Sequence, residues 1–143
     1  MATSNAATNY LERRILDFIF KNNALSFASP GDTLRVGLAT AVAAPETGSL
    51  TEANFTNYAR QTVVASNWTT IGADSTDTQT AKNAANIEYP ASGGTNNTIT
   101  HVFIADALTG GNILFVGELD VSKVIADGDI FRINAGNLTV ELK

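Results

Sequence analysis

Cysteine is absent from the 143 residues, which excludes both a disulfide framework and a thiolate metal site. Stability must come from a packed core and from assembly. Histidine occurs once, at His101. A lone imidazole with no second ligand at metal spacing is poor material for a metal site or a general base, and a hydrogen-bonded structural role is favoured. Charge is scarce too: Asp, Glu, Lys and Arg make up 16% of the chain, well under the roughly one quarter that is usual. The formal net charge is −5, the wrong sign for displacing counterions from phosphates, which argues against nucleic acid as a partner. The only adjacent basic pair, Arg13-Arg14, follows Glu12 in a helical stretch. No apolar run nears the roughly 20 residues that cross a bilayer. The first residues lack the basic-then-apolar order of a secretory leader, so synthesis in a cytoplasm is expected. Nucleophile elbows, phosphate loops and dinucleotide fingerprints are all missing, as is the short internal repeat of a fibrous shaft.

What is present is an ordinary globular hydrophobic content of 44%, carried on a surface filled by Thr, Asn, Ala and Ser. The length suits a single domain over residues 1–143. A surface poor in charge suits packing beside copies of itself or a partner, because few charges then lose their water; a compositional bias of the lineage explains it equally well.

Residues 1–8 are small and polar and read as a flexible arm. Over residues 9–22 the period changes: Leu11, Ile15, Phe18 and Ile19 fall at helical spacing, flanked by Leu16 and Phe20, with Glu12, Arg13, Asp17 and Lys21 on the other side. This predicts one amphipathic helix ended by Asn22-Asn23 and Pro30-Gly31. Covering a sheet of its own chain is the expected role of its apolar face, with docking on a neighbouring subunit as the alternative. Leu34, Val36 and Leu38 alternate with Arg35, Gly37 and Ala39 as a strand does. Residues 40–58 form a long polar connection, with a short helical turn near 50–55, and connections of that length usually serve a partner or a function. Further strands are expected at 61–66, 68–71 and 86–89, with an exposed turn at 92–97. The last third repeats one theme. Apolar runs at 98–106, 112–121, 130–134 and 138–142 are separated by Thr109-Gly110-Gly111, Asp127-Gly128-Asp129 and Ala135-Gly136-Asn137, the pattern of hairpin-connected antiparallel strands. The fold class is therefore mainly β: an antiparallel two-sheet β-sandwich over 31–143, preceded by one N-terminal amphipathic α-helix. Its expected core is Leu34, Val36, Leu38, Phe103, Leu114, Val116, Ile130, Leu138 and Val140.

Candidate chemistry is thin. His101 lies in the strongest strand, on the side of Ile99, Phe103 and Ala105. Asp74 and Asp77 in Asp74-Ser75-Thr76-Asp77 offer oxygen ligands for a weak calcium site, but without the spaced carboxylates of a calcium-binding loop a solvated turn is favoured. No catalytic, cofactor or metal residue is assigned, and no cofactor is expected. Phe55, Tyr58, Arg60 and Trp68 are of the types that anchor interfaces, and serve equally as a buried aromatic cluster with a loop-holding arginine. The Asn-x-Thr triplets at Asn54, Asn67, Asn97 and Asn137 are chance matches in so Asn- and Thr-rich a chain.

The order of these segments resembles a family of tailed-phage virion proteins, tail-fibre-like or head-decoration in kind. The landmarks are Tyr10-Leu11-Glu12 with Ile15-Leu16-Asp17, then Leu34-Arg35-Val36-Gly37-Leu38-Ala39-Thr40-Ala41, then Asn57-Tyr58-Ala59-Arg60-Gln61 and Trp68. Thr100-His101-Val102-Phe103-Ile104-Ala105-Asp106-Ala107 follows with Thr109-Gly110-Gly111-Asn112, Leu114, Gly117 and Leu119; Gly128-Asp129 and Ala135-Gly136-Asn137-Leu138 close the series. The resemblance implies a non-enzymatic virion structural protein and transfers no catalytic residue. Of the positions it leaves open, a capsid decoration or cement protein stabilising the outer shell is placed first, because the chain is short and repeat-free. A tail-fibre or baseplate-associated module contacting the host surface is the alternative, and a small enzyme comes last. Expected partners are other copies of the chain and other virion proteins, foremost the major capsid protein, with neither nucleic acid nor membrane. Residues 1–8 and 40–58 are the segments expected at such contacts.

Overall fold

The computed structural model describes residues 5–25, 34–71 and 79–142. The possible calcium ligands Asp74 and Asp77 lie outside them. Ala6–Ala7 forms a short strand β1, and Asn9–Lys21 the helix α1. The remaining strands are β2 (Leu34–Ala44), β3 (Ser49–Glu52), β4 (Gln61–Val63), β5 (Trp68–Ile71), β6 (Gln79–Asn83), β7 (Ile87–Glu88), β8 (Asn97–Ala105), β9 (Ile113–Ile125), β10 (Arg132–Ile133) and β11 (Thr139–Leu142).

The protein is mainly β with one helix, as expected, but its strands build three antiparallel sheets rather than a two-sheet sandwich. The largest runs β1-β9-β8-β2-β3 and curls into a half-barrel, with β4 sharing the outer edge of β2 with β3. A second sheet is ordered β11-β6-β5, and β7 pairs with β10 alone. Of the last four apolar runs only the first two form a hairpin, closed by Gly110 and Gly111 at positive φ. The others pair over long range, β10 with β7 and β11 with β6. Strands of two to four residues bury too little alone and must cap the large sheet from outside.

Central strands are apolar on both sides, so the described residues form two core clusters instead of the one expected. Val36 and Leu38 face Ile99, Val102, Ile87, Tyr89, Phe131 and Ile133; Ala39 lies behind them with Phe103, Ala105 and Val116. Five of the nine expected core residues are buried: Val36, Leu38, Phe103, Leu114 and Val116. Leu34, Leu138 and Val140 are half-buried. Ile130 is the exception at 53% exposure, because its neighbours Phe131 and Ile133 take the inward positions. A register shift between Ile99 and His101 also moves Ile99 away from the side of Phe103, against the simple alternation.

The stretch expected as a flexible arm divides. Residues 1–4 lie outside the description, whereas Ala6 and Ala7 pair with Val116 and Phe115, and Asn5 accepts a 2.6 Å hydrogen bond from the Glu118 amide. Thr8 is buried as the N-cap of α1: its hydroxyl accepts from the Leu11 amide at 3.4 Å and donates to the Ile113 carbonyl at 2.6 Å. Thr8→Ala removes the cap and the tie to β9 together. A loss of about 1–2 kcal/mol in urea-unfolding free energy is expected; stability equal to the parent would show that the cap does not hold the helix.

Residues 40–58 prove to be mostly structured. β2 continues to Ala44 with alternating exposure, a 3-10 turn spans Pro45–Thr47, and Gly48 at φ 70° reverses the chain into β3. The short helical turn expected near 50–55 is thus a strand edge. Only residues 53–60 remain irregular, tied by Asn97, whose side-chain oxygen accepts from the Asn54 and Phe55 amides at 2.8 and 3.0 Å.

Candidate functional site

Of the four residues expected at an interface, Phe55, Tyr58 and Arg60 lie in the irregular stretch between β3 and β4, while Trp68 opens β5 in another sheet, and all four pack inside the chain. Phe55 is 2% exposed and Arg60 7%. Tyr58 and Trp68 are half-buried against the first core. Phe55, Tyr58, Tyr89 and Phe131 form a continuous aromatic row: edge-on at 5.3 Å, stacked at 6.0 Å, then edge-on at 5.8 Å. The row is pinned at its polar ends. The Tyr58 hydroxyl accepts from the Leu38 amide at 3.0 Å and donates to Glu52 Oε1 at 2.8 Å; the Tyr89 hydroxyl donates to the Val36 carbonyl at 2.8 Å. Burial holds both phenols protonated, pushing their pKa values well above the usual one.

Arg60 joins three segments. Its Nε and one terminal nitrogen donate to the two Glu52 oxygens at 2.8 and 2.9 Å, a bidentate pair. The other terminal nitrogen donates to the Ala107 and Gly110 carbonyls, both at 2.8 Å. That loop is closed on itself by Asp106, which accepts from the backbone and side-chain nitrogens of Asn112 at 2.7 and 2.8 Å. The guanidinium also lies 5.0 Å from the centre of the Phe103 ring. Hydrogen bonding to Glu52 holds it firmly protonated. Every donor that Arg60 uses is thus aimed inward, which makes it a brace for the hairpin loop.

His101 is half-buried, with Nδ1 2.7 Å from the Thr100 hydroxyl, and it pairs across the sheet with Glu118. Burial lowers its pKa, with Glu118 opposing the shift. Among the described residues no three acidic or imidazole side chains gather to hold a metal.

The surface with most to offer a partner was legible only in part. α1 packs by Leu11 and by the half-buried Tyr10, Arg14 and Asp17, with Asp17 flanked by Arg13, Arg14 and Lys21 at 3.6–3.9 Å. Its apolar stripe points away from the chain: Leu16, Phe18 and Ile19 are 51–61% exposed, Phe20 78% and Ile15 36%. The expectation that this stripe covers the chain's own sheet is therefore corrected: of its apolar residues only Leu11 is buried against the rest of the chain. A second feature, invisible in sequence, is a half-open groove of about 650 Å³ between β9 and β11. Val102, Ile104, Phe115, Ile133, Leu138 and Val140 contribute its apolar lining, with Glu118, Asp120 and Glu141 among its polar residues.

A family model described as Podophage GP4 fiber I protein gp80 matches residues 6–141. No curated protein matches the chain.

Proposed function

The chain belongs to the podophage GP4 fiber I protein gp80 family, and from that premise we propose that it is a non-enzymatic building component of the tail fibre. Membership makes it a structural protein of the tailed-phage virion, as the resemblance in its sequence implied. The observation that carries the fibre reading is the match itself, which takes in β1, α1, the large sheet and both small ones. The geometry agrees with a mechanical role. Arginine and asparagine side chains brace turns inside the fold and a tyrosine is tied to the backbone of β2, while an apolar helix face is left for contact with another protein.

Capsid decoration remains a second reading, favoured by the absence of any shaft-like repeat in a surface poor in charge. The two readings differ in place and partner: other tail proteins or a host surface in the first, the major capsid protein in the second. Gold-labelled antibody against the chain, imaged on intact particles, tests between them. Label confined to the tail is expected, at a few to a few dozen copies per particle, whereas hundreds of copies over the head would overturn the fibre reading.

A further inference from the structure

We propose that the tip of the loop joining β8 to β9 seats in an apolar recess on another protein of the virion. The loop is longer than its hairpin needs. Ala105 and Ile113 pair at the hairpin's end, a gap that about two to five residues commonly close. Here it takes seven, residues 106–112. The extra length is not slack. Asp106 and Asn112 clasp each other by three hydrogen bonds at 2.7, 2.8 and 3.1 Å, and Arg60 holds the Ala107 and Gly110 carbonyls at 2.8 Å each. The loop folds so closely on itself that a Cβ at Gly111 would stand 2.5 Å from that of Ala107. Arg60 is only 7% exposed, and a charge taken out of water is a costly way to close a turn. A tip held in advance of contact loses little freedom when a partner covers it.

What the held tip presents defines the partner. Leu108, Thr109, Gly110 and Gly111 are exposed and uncharged, with Leu108 at 52%. A single exposed leucine would need no explanation; one carried on a braced, over-long loop does. Because both carbonyls turn in toward Arg60, the trans peptides aim the Leu108 and Gly111 amides away from it, as donors for a partner's carbonyls. Val63 pairs with Leu34 and Ala105 with Arg35, so register puts Val64, 41% exposed, at the same end of the large sheet. The tip offers no aromatic ring, and Arg60 beneath it faces inward, so a glycan or a phosphate finds little to hold. An uncharged aliphatic tip with backbone donors matches a protein surface, where few charges lose their water. The chain belongs to a family of virion structural proteins, which makes another virion protein the partner at hand. The inference rests on that membership and holds for a place in the tail fibre or on the capsid.

Competition during infection tests the contact in the assembled particle. Cells infected by phage that encodes the parent also express an epitope-tagged copy of the full chain. The tagged fraction in purified particles is then compared with that in the lysate. Tagged parent and Leu108→Met are expected to enter in proportion to supply. Leu108→Asp and Thr109→Arg should each enter at a level lower by about tenfold or more. Their melting curves should match the parent's, because both side chains are exposed. Val121→Asp, at a residue 66% exposed on β9 and remote from the loop, should enter like the parent. Tip variants that enter in full overturn the proposal, and a loss of host adsorption by particles carrying them would assign the tip to the host surface instead. Val121→Asp excluded as strongly as the tip variants overturns it too, since the loss would then follow added charge anywhere on the surface. Where antibody finds the chain on the particle bears on neither outcome.

Discussion

Arg60→Ala is expected to lower the unfolding free energy by about 3–4 kcal/mol, the usual cost of leaving a buried charge partner alone. Three losses coincide at this residue. Glu52 gives up a bidentate partner, the Ala107 and Gly110 carbonyls lose their donor, and the Phe103 ring loses the guanidinium beside it. Because the Glu52 side chain is still 32% exposed, water compensates part of its loss, which keeps the figure off the top of the range. Arg60→Lys should recover less than half of it. A single ammonium cannot reach both carboxylate oxygens and two carbonyls with the planar fork geometry that holds them now. Urea unfolding of the three proteins reads the effect directly. Should Arg60→Ala fall within about 1 kcal/mol of the parent, the arginine is an ornament of the surface and not a brace.

That brace was half legible. The cluster Asn57-Tyr58-Ala59-Arg60 stands out in the sequence as aromatic and basic residues beside a long connection, the composition of an interface as much as of a loop anchor. Composition cannot tell the two apart, because the partner that decides it, the 107–110 loop, is about fifty residues away along the chain. The same limit governs the fold. α1, β8 and β9 were legible because their periods are long and local. The pairing of β10 with β7 and of β11 with β6 was not, since strands of two to four residues carry no register of their own. Amphipathicity located the apolar face of α1 correctly but could not say whether this chain covers it. The face is the same whether its owner is intramolecular or not. The groove is a property of how two sheets diverge, and no single segment encodes it.

Gly37→Ala should be among the most damaging single-methyl additions the chain can suffer, at about 2–3 kcal/mol or more. Gly37 lies directly across the sheet from Phe103, in the middle of β2 where both faces are buried. A Cβ built on Gly37 would stand 2.1 Å from Phe103 Cζ and 2.6 Å from each Cε, so the ring occupies the place a side chain would take. Glycine in a strand interior is ordinarily a weakness. Here it is the condition for an aromatic ring to lie flat across the backbone of the neighbouring strand. The ring cannot simply swing aside, because Arg60 flanks it and Ala39, Ala105 and Val116 pack around it. Trimming the ring should therefore relieve the clash. Phe103→Leu alone is expected to destabilise by leaving a cavity, yet Gly37→Ala combined with Phe103→Leu should be more stable than the sum of the two losses predicts, by at least about 1 kcal/mol. Denaturant unfolding of the four proteins in this cycle measures the coupling. Strict additivity, or a Gly37→Ala protein as stable as the parent, would mean that the sheet opens enough to admit the methyl and that glycine is not required at this crossing.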